Sequence, residues 1–160
     1  MVLIPGWLAC GPAMALAQSA APSPAKTVSG LVYGFGAIGA WEGKATLHFG
    51  GGGETLIADA VGIGAEIGYL TFFEAIGDGI GVLSFDGAYH FYPHQPSRKA
   101  RPFVTGGYTL GFREGSESMW NFGGGVDYWL KPTFGLRVEF RDHVWTSEHI
   151  WGVRVGVIFR

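Results

Sequence analysis

Five histidines, a serine close to one of them, and a scatter of acids and arginines are the residues of this chain that could do chemistry. His143 lies in Arg141-Asp142-His143-Val144-Trp145-Thr146-Ser147, with Glu148 and His149 just beyond. A serine, a histidine and an acid can supply a nucleophile, its base and the group that orients the base. The plainer reading is a rim histidine beside Asp142 and Glu148. His90 and His94 are four apart, but they fall in an extended run and its turn, where that spacing makes no helical metal pair. Gly50 to Gly53 has the glycines of a phosphate loop without the helix that would hold the phosphate. The expectation is no metal, no cofactor and no catalytic site.

The remaining charges share a property of position. In Phe134 to Arg141, the residues Phe134, Leu136, Val138 and Phe140 have one parity, and Gly135, Arg137, Glu139 and Arg141 the other. Period two is the signature of a β-strand, with successive side chains on opposite faces. The same division recurs. Trp151, Val153, Val155, Val157 and Phe159 oppose Gly152, Arg154 and Gly156. Val61, Ile63, Ala65, Ile67 and Tyr69 oppose Gly62, Gly64, Glu66 and Gly68. Phe122, Val126, Tyr128 and Leu130 oppose Asn121, Gly123, Gly125 and Asp127. Leu47, Phe49 and Ile57 oppose His48 and Glu54, and Leu83, Phe85, Tyr89 and Phe91 oppose Ser84, Asp86 and His90. The polar faces thus collect Glu54, Glu66, Asp86, Asp127, Arg137, Glu139, Arg141 and Arg154, with both signs present and glycines between them.

Eight such runs carry these faces: Val28 to Trp41, Lys44 to Ile57, Val61 to Phe73, Gly79 to Tyr92, Arg101 to Arg113, Ser118 to Leu130, Phe134 to Trp145 and His149 to Phe159. Each is long enough for a tilted membrane-spanning strand, which needs about 9–11 residues. No helical period competes. An internal repeat pairs them: displaced by 73 positions, Phe49 to Ile67 aligns without a gap on Phe122 to Phe140. Phe49, Gly50, Gly51, Gly52, Gly62 and Glu66 meet identical residues, which argues for an up-and-down meander of hairpins. One end of the meander carries Glu42, Glu74, Asp78, Glu114, Glu117 and Glu148; the other carries Arg98, Lys99, Arg101 and Lys131.

Composition fits strands rather than helices or disorder. The 160 residues include 28 glycines and 24 aromatics (Phe 12, Trp 6, Tyr 6), enough for one domain. A net charge of −2 gives no electrostatic footprint for nucleic acid. Residues 1–17 read as a signal peptide, since Met1 to Leu16 is apolar and Ala15-Leu16-Ala17 fits a cleavage site. The usual basic start is missing, because the first cation is Lys26. Leu8-Ala9-Cys10 is loosely similar to a lipoprotein box, with Trp7 departing from it. Residues 18–27 read as a disordered leader and 28–160 as the folded domain. Cys10 is the one cysteine, so the processed chain is expected to lack disulfide and thiolate chemistry.

A soluble sheet buries its apolar face, whereas a membrane barrel turns it to lipid and keeps its polar face inside. On a soluble sandwich the charges would simply face water, but the core would then have to absorb every Trp and Phe. Aromatics also gather at the run ends. Trp41, Phe73, Phe112, Trp120, Trp145 and Trp151 mark the acidic end; Phe91, Tyr92, Phe103, Tyr128 and Phe159 mark the basic one. Two aromatic girdles suit a bilayer. The fold class expected is therefore all-β: an eight-stranded antiparallel up-and-down transmembrane β-barrel, its lumen packed by charges made room for by glycine.

On the hairpin from Phe122 to Arg141 and the terminal run Trp151 to Phe159, the chain resembles the small outer-membrane β-barrel family, including the OmpA membrane domain and OmpX. The likeness spans Val28 to Phe159. It implies an integral protein of the Gram-negative outer membrane with periplasmic termini and a structural role in the envelope. It also implies passage by periplasmic chaperones to the barrel-assembly machinery, which reads a final aromatic; here that residue is Phe159, followed by Arg160. Its partners are then outer-membrane lipid and that machinery, with the barrel a monomer. Outer-membrane lipid A deacylases carry a Phe-x-His-x-Ser-Asn pattern, and Trp145 stands where its serine should follow His143. A narrow gated pore and a soluble lipocalin-like carrier are two further functions open to a barrel of this size.

Overall fold

The computed structural model describes residues 29–92, 97–113 and 115–160. The readings of a signal peptide, a leader, Cys10, His94 and Glu114 lie outside the described residues. Eight strands form: β1 (Ser29–Trp41), β2 (Lys44–Leu56), β3 (Val61–Phe72), β4 (Ile80–His90), β5 (Ala100–Phe112), β6 (Ser116–Lys131), β7 (Phe134–Trp145) and β8 (Glu148–Phe159). Each is hydrogen-bonded antiparallel to its sequence neighbour, and β1 pairs β8 from Val32↔Phe159 to Trp41↔Ile150. The sheet is therefore a closed up-and-down barrel without a free edge. Twelve residues at about 3.3 Å each, tilted as barrel strands are, cross roughly 30 Å.

The turns are short, as a meander allows. Glu42 and Gly43 join β1 to β2 with φ of 50° and 76°, the positive pair that matches the twist of a two-residue hairpin. Thr146, at φ 55°, opens the turn between β7 and β8. A single 3₁₀ turn, Ile76–Asp78, lies between β3 and β4. These connections share one mouth, the acidic one, with Asp78, Glu117 and Glu148. The β2–β3, β4–β5 and β6–β7 connections share the opposite, basic mouth.

The burial pattern is inverted relative to a soluble protein. Among the described residues, the buried set holds 16 polar or charged side chains against 10 apolar ones, while 28 large hydrophobics stand exposed. Ile38 is 69% exposed and Ile67 61%, while Asp127 is 0% and Arg154 2%. Soluble monomers do not leave so much contiguous apolar surface in water. Hydrocarbon around the wall and a polar interior satisfy both faces, and closure satisfies the backbone. The chain is a transmembrane barrel by this geometry, and no described helix is long and apolar enough to cross a membrane.

Three aromatics that position along the strand assigns to the lipid girdles turn inward instead. Phe103 is buried, and Trp41 and Trp145 are half-buried against an interior apolar cluster. Their parity decides it: Trp41 matches inward Ala37, Trp145 matches inward His143, and Phe103 matches inward Thr109. Phe73, Phe112, Trp120 and Trp151 remain outside near the acidic mouth, and Phe91, Tyr92, Tyr128 and Phe159 near the basic one.

Candidate functional site in the barrel interior

A narrow barrel brings inward side chains of opposite walls within reach of one another. Near the basic mouth, Arg137 on β7 holds Asp127 on β6 through two hydrogen bonds, Nε–Oδ1 at 2.7 Å and Nη2–Oδ2 at 3.1 Å. It also stands 3.6 Å from Glu54 on β2, across the lumen. His90 on β4 contacts Glu54 Oε1 at 2.5 Å and lies 3.9 Å from Asp127 Oδ2. Two acids from opposite hairpins thus share one guanidinium and one imidazole. The Arg137 guanidinium also lies against the Phe103 and Tyr33 rings, at 4.4 and 4.8 Å from their centroids, where ring and cation attract.

A second layer lies toward the acidic mouth. Arg154 on β8 bonds Glu66 on β3 and sits 3.6 Å from Glu139 on β7. Its guanidinium stacks 3.5 Å from the centroid of Phe35. Arg141 takes Glu139 at 2.5 Å, Asp86 at 3.1 Å and the Asn121 amide oxygen at 3.0 Å. Asn121 then donates to Asp86 at 2.8 Å and to Thr109 at 2.9 Å, and Ser84 and Thr109 share a hydrogen bond of 2.8 Å. Tyr33 donates to Glu66. Buried charges are tolerable only when paired and hydrogen-bonded, and here each carboxylate has a cation.

Glycine makes the room. A Cβ at Gly62 would collide with the Glu54 carboxylate, and one at Gly107 would lie 2.5 Å from Asp86 Oδ1. Apolar groups close both ends of this polar core. Leu70, Val82, Met119 and Ile150 pack beneath Trp41, Ile80 and Trp145 at the acidic mouth, and Trp41 Nε1 donates to Glu148 at 2.8 Å. Leu31, Phe103, Trp129 and Ile158 are buried toward the basic mouth, with Arg160 over the Trp129 ring.

The eight charges named from the sequence all point inward, and the structure gathers them into these two layers: Glu54, Asp127 and Arg137 in one, Glu66, Asp86, Glu139, Arg141 and Arg154 in the other. Phe159 faces outward beside Phe134, at 5.2 Å between ring centroids. Other interior members fall outside that set, among them Tyr33, His48, His90, Arg101 and Asn121. His48, His90 and Asn121 have the right parity, and a search for formal charge passes over them. Arg101 reads as part of the basic rim, yet it is buried, its Nε donating to the Tyr92 carbonyl at 3.1 Å. His143, read as a rim residue, is buried in the interior, and Asp142 instead pairs with His149 at 2.7 Å. No group of three metal-binding side chains occurs among the described residues.

The fold and its inverted faces define a small eight-stranded barrel of the outer-membrane type. It is similar to the N-terminal β-barrel domain of Pseudomonas aeruginosa OprF, at TM-score 0.66 and 19% identity over 81% of this chain and 95% of that one. Neisserial surface protein A matches at TM-score 0.63 and 14% identity, covering 84% of this chain and 99% of that one. A de novo designed transmembrane β-barrel matches at 0.54 and 18%, covering 81% and 93%. Identities this low establish the fold alone. No family model matches the chain, and no curated protein matches it in sequence.

Proposed function

We propose that this protein is a non-enzymatic integral barrel of the outer membrane, with a structural role in the integrity of the envelope. The observation that carries the reading is the occluded interior: two ion-paired layers held between apolar caps, inside a wall that only lipid suits. Its partners are outer-membrane lipid, the periplasmic chaperones and the assembly machinery that would engage Phe159, and it acts as a monomer. The termini lie in the periplasm, which puts the acidic mouth outside. The geometry disfavours three rival functions. A lipid-modifying enzyme needs its histidine on the lipid-facing wall, and His143 points inward. A lipocalin-like carrier needs an apolar chamber, and this interior is charged. A pore needs a path past Arg137, Arg141 and Arg154.

Cell fractionation tests the location: the protein should sediment with outer membranes and migrate differently on gels when unboiled and boiled. Recovery in the soluble fraction with one migration position would reject the reading. Planar bilayers test the occlusion, with silence expected. Steady conductance would replace the structural role with the pore.

A further inference from the structure

Arg137, Arg141 and Arg154 inside the barrel each meet a carboxylate, and Arg113 at the acidic mouth pairs with Asp78 at 3.0 Å. Lys44 and Arg113 at that mouth are outnumbered by Glu42, Glu74, Asp78, Glu117 and Glu148. The basic mouth differs. Arg98, Lys99 and Lys131 are exposed there, and none of the three forms an ion pair among the described residues. The connections of that mouth carry one acidic side chain, Asp59 in the β2–β3 turn, with β4 standing between it and these cations.

The three cations share one sector, where β5 begins and β6 ends. Trp129 N donates to the Lys99 carbonyl at 2.8 Å, which carries the β5–β6 ladder one residue past Ala100↔Tyr128, and Lys131 lies two residues further along β6. The Arg98 guanidinium lies over the Tyr92 ring, 4.0 Å from its centroid. Tyr92 is itself held: its carbonyl accepts from Nε of the buried Arg101 at 3.1 Å, and Phe91 N beside it donates to the Pro102 carbonyl at 3.1 Å. The cluster is thus anchored to the end of the sheet.

Depth selects its partner. Phe91, Tyr92 and Tyr128 are exposed rings of the aromatic belt at this mouth, and such belts sit at the level of lipid headgroups. A guanidinium stacked on a belt ring stands where lipid phosphates lie, and its fork suits their oxygens. Basic residues clustered at the end of membrane-spanning segments draw in anionic lipid. A soluble anion would meet the charge alone, whereas a lipid meets the charge and the belt together.

We propose that Arg98, Lys99 and Lys131 form a docking surface for the phosphate headgroups of anionic phospholipid. This surface presupposes the membrane barrel proposed above and adds to it a lipid class and a place on the rim.

The full chain is reconstituted in nanodiscs of equal parts phosphatidylglycerol and phosphatidylcholine, and the lipids retained on release are counted by native mass spectrometry. Both lipids carry a phosphate diester, but only choline cancels its charge. Each cation near an anionic surface favours it by about fivefold before screening, so phosphatidylglycerol should be retained about tenfold over phosphatidylcholine. Ammonium acetate at about 0.5 M should erase most of that preference. The triple variant Arg98→Gln, Lys99→Gln, Lys131→Gln should retain the two lipids equally, while Lys44→Gln at the acidic mouth should keep the preference. Equal retention by the natural chain overturns the proposal, as does a preference that survives in the triple variant. Equal retention together with co-sedimentation on purified peptidoglycan would assign the cations to an acidic polymer instead. Where the triple variant does not fold, the three single variants decide: lowered ratios support the surface and unchanged ratios overturn it. A natural chain that enters neither lipid rejects the membrane barrel itself, and this surface with it.

Discussion

The β2–β3 and β6–β7 hairpins are the same frame carrying different cargo. Their registers match pair for pair at a displacement of 73: Gly52↔Glu66 becomes Gly125↔Glu139, Glu54↔Gly64 becomes Asp127↔Arg137, and Leu56↔Gly62 becomes Trp129↔Gly135. In the closed order β3 and β7 stand opposite, four strands apart either way. The acids are kept in both hairpins. The cations are not: Gly64 and Gly68 of β3 correspond to Arg137 and Arg141 of β7. The β6–β7 hairpin therefore supplies two guanidinium arms together with acids of its own, Asp127 and Glu139, while the opposite hairpin supplies acids and glycines but no cation. Strictly symmetric hairpins would add two more arginines to an interior that already buries Arg101, Arg137, Arg141 and Arg154, or leave neither hairpin with a cation for its acids. The difference between the copies is what lets the interior fill.

Breaking that asymmetry should have graded effects on stability, read as unfolding of the refolded protein in lipid bilayers. The largest belongs to Arg137→Met, which leaves Asp127 and Glu54 buried beside a neutral side chain and should destabilise by about 3–5 kcal/mol. Adding Asp127→Leu should recover part of the loss, because removing both charges is less damaging than stranding one; no recovery would mean that the pair is not what matters. Next come the glycines of the opposite hairpin. Gly68→Leu should cost about 1–3 kcal/mol by overpacking, since its Cβ would lie 2.7 Å from His48 Nε2. Equal stability to the natural chain would show the opposing wall has slack. Smaller again is Glu54→Gln, which keeps a hydrogen-bonding oxygen for His90 while Arg137 retains Asp127, at about 1–2 kcal/mol. The smallest is Glu42→Asn at the first turn, where a left-handed φ of 50° suits asparagine and should raise stability by a few tenths of a kcal/mol.

Parity makes most of the fold legible. Eight alternating runs, short connections and a gap-free repeat are local facts, and the strand ends observed lie within a few residues of those read from the sequence. Where parity and type conflict, type misleads. Trp41, Trp145 and Phe103 are aromatics near strand ends, a trait that points to lipid, yet each has inward parity. Arg101 belongs to the basic rim by charge, and its parity again puts it inside. The partners within the interior are another matter. That Arg154 reaches both Glu66 and Glu139, or that Asn121 links Asp86 to Thr109, depends on which strands lie across the lumen and at what stagger. Those relations arise only when β8 meets β1, and alternation along one strand contains no information about them.

That ladder between β1 and β8 also constrains the order of events in folding. The first and last strands of the chain must meet before the interior is sealed. A β6–β7 hairpin that entered hydrocarbon alone would show Arg137, Glu139 and Arg141 to acyl chains, at several kcal/mol for each charge near the bilayer midplane. Strand-by-strand insertion is therefore blocked by the same residues that pack the finished barrel. The chain has to cross the bilayer and close in one concerted event, and thinner membranes, with less hydrocarbon to traverse, should fold it faster.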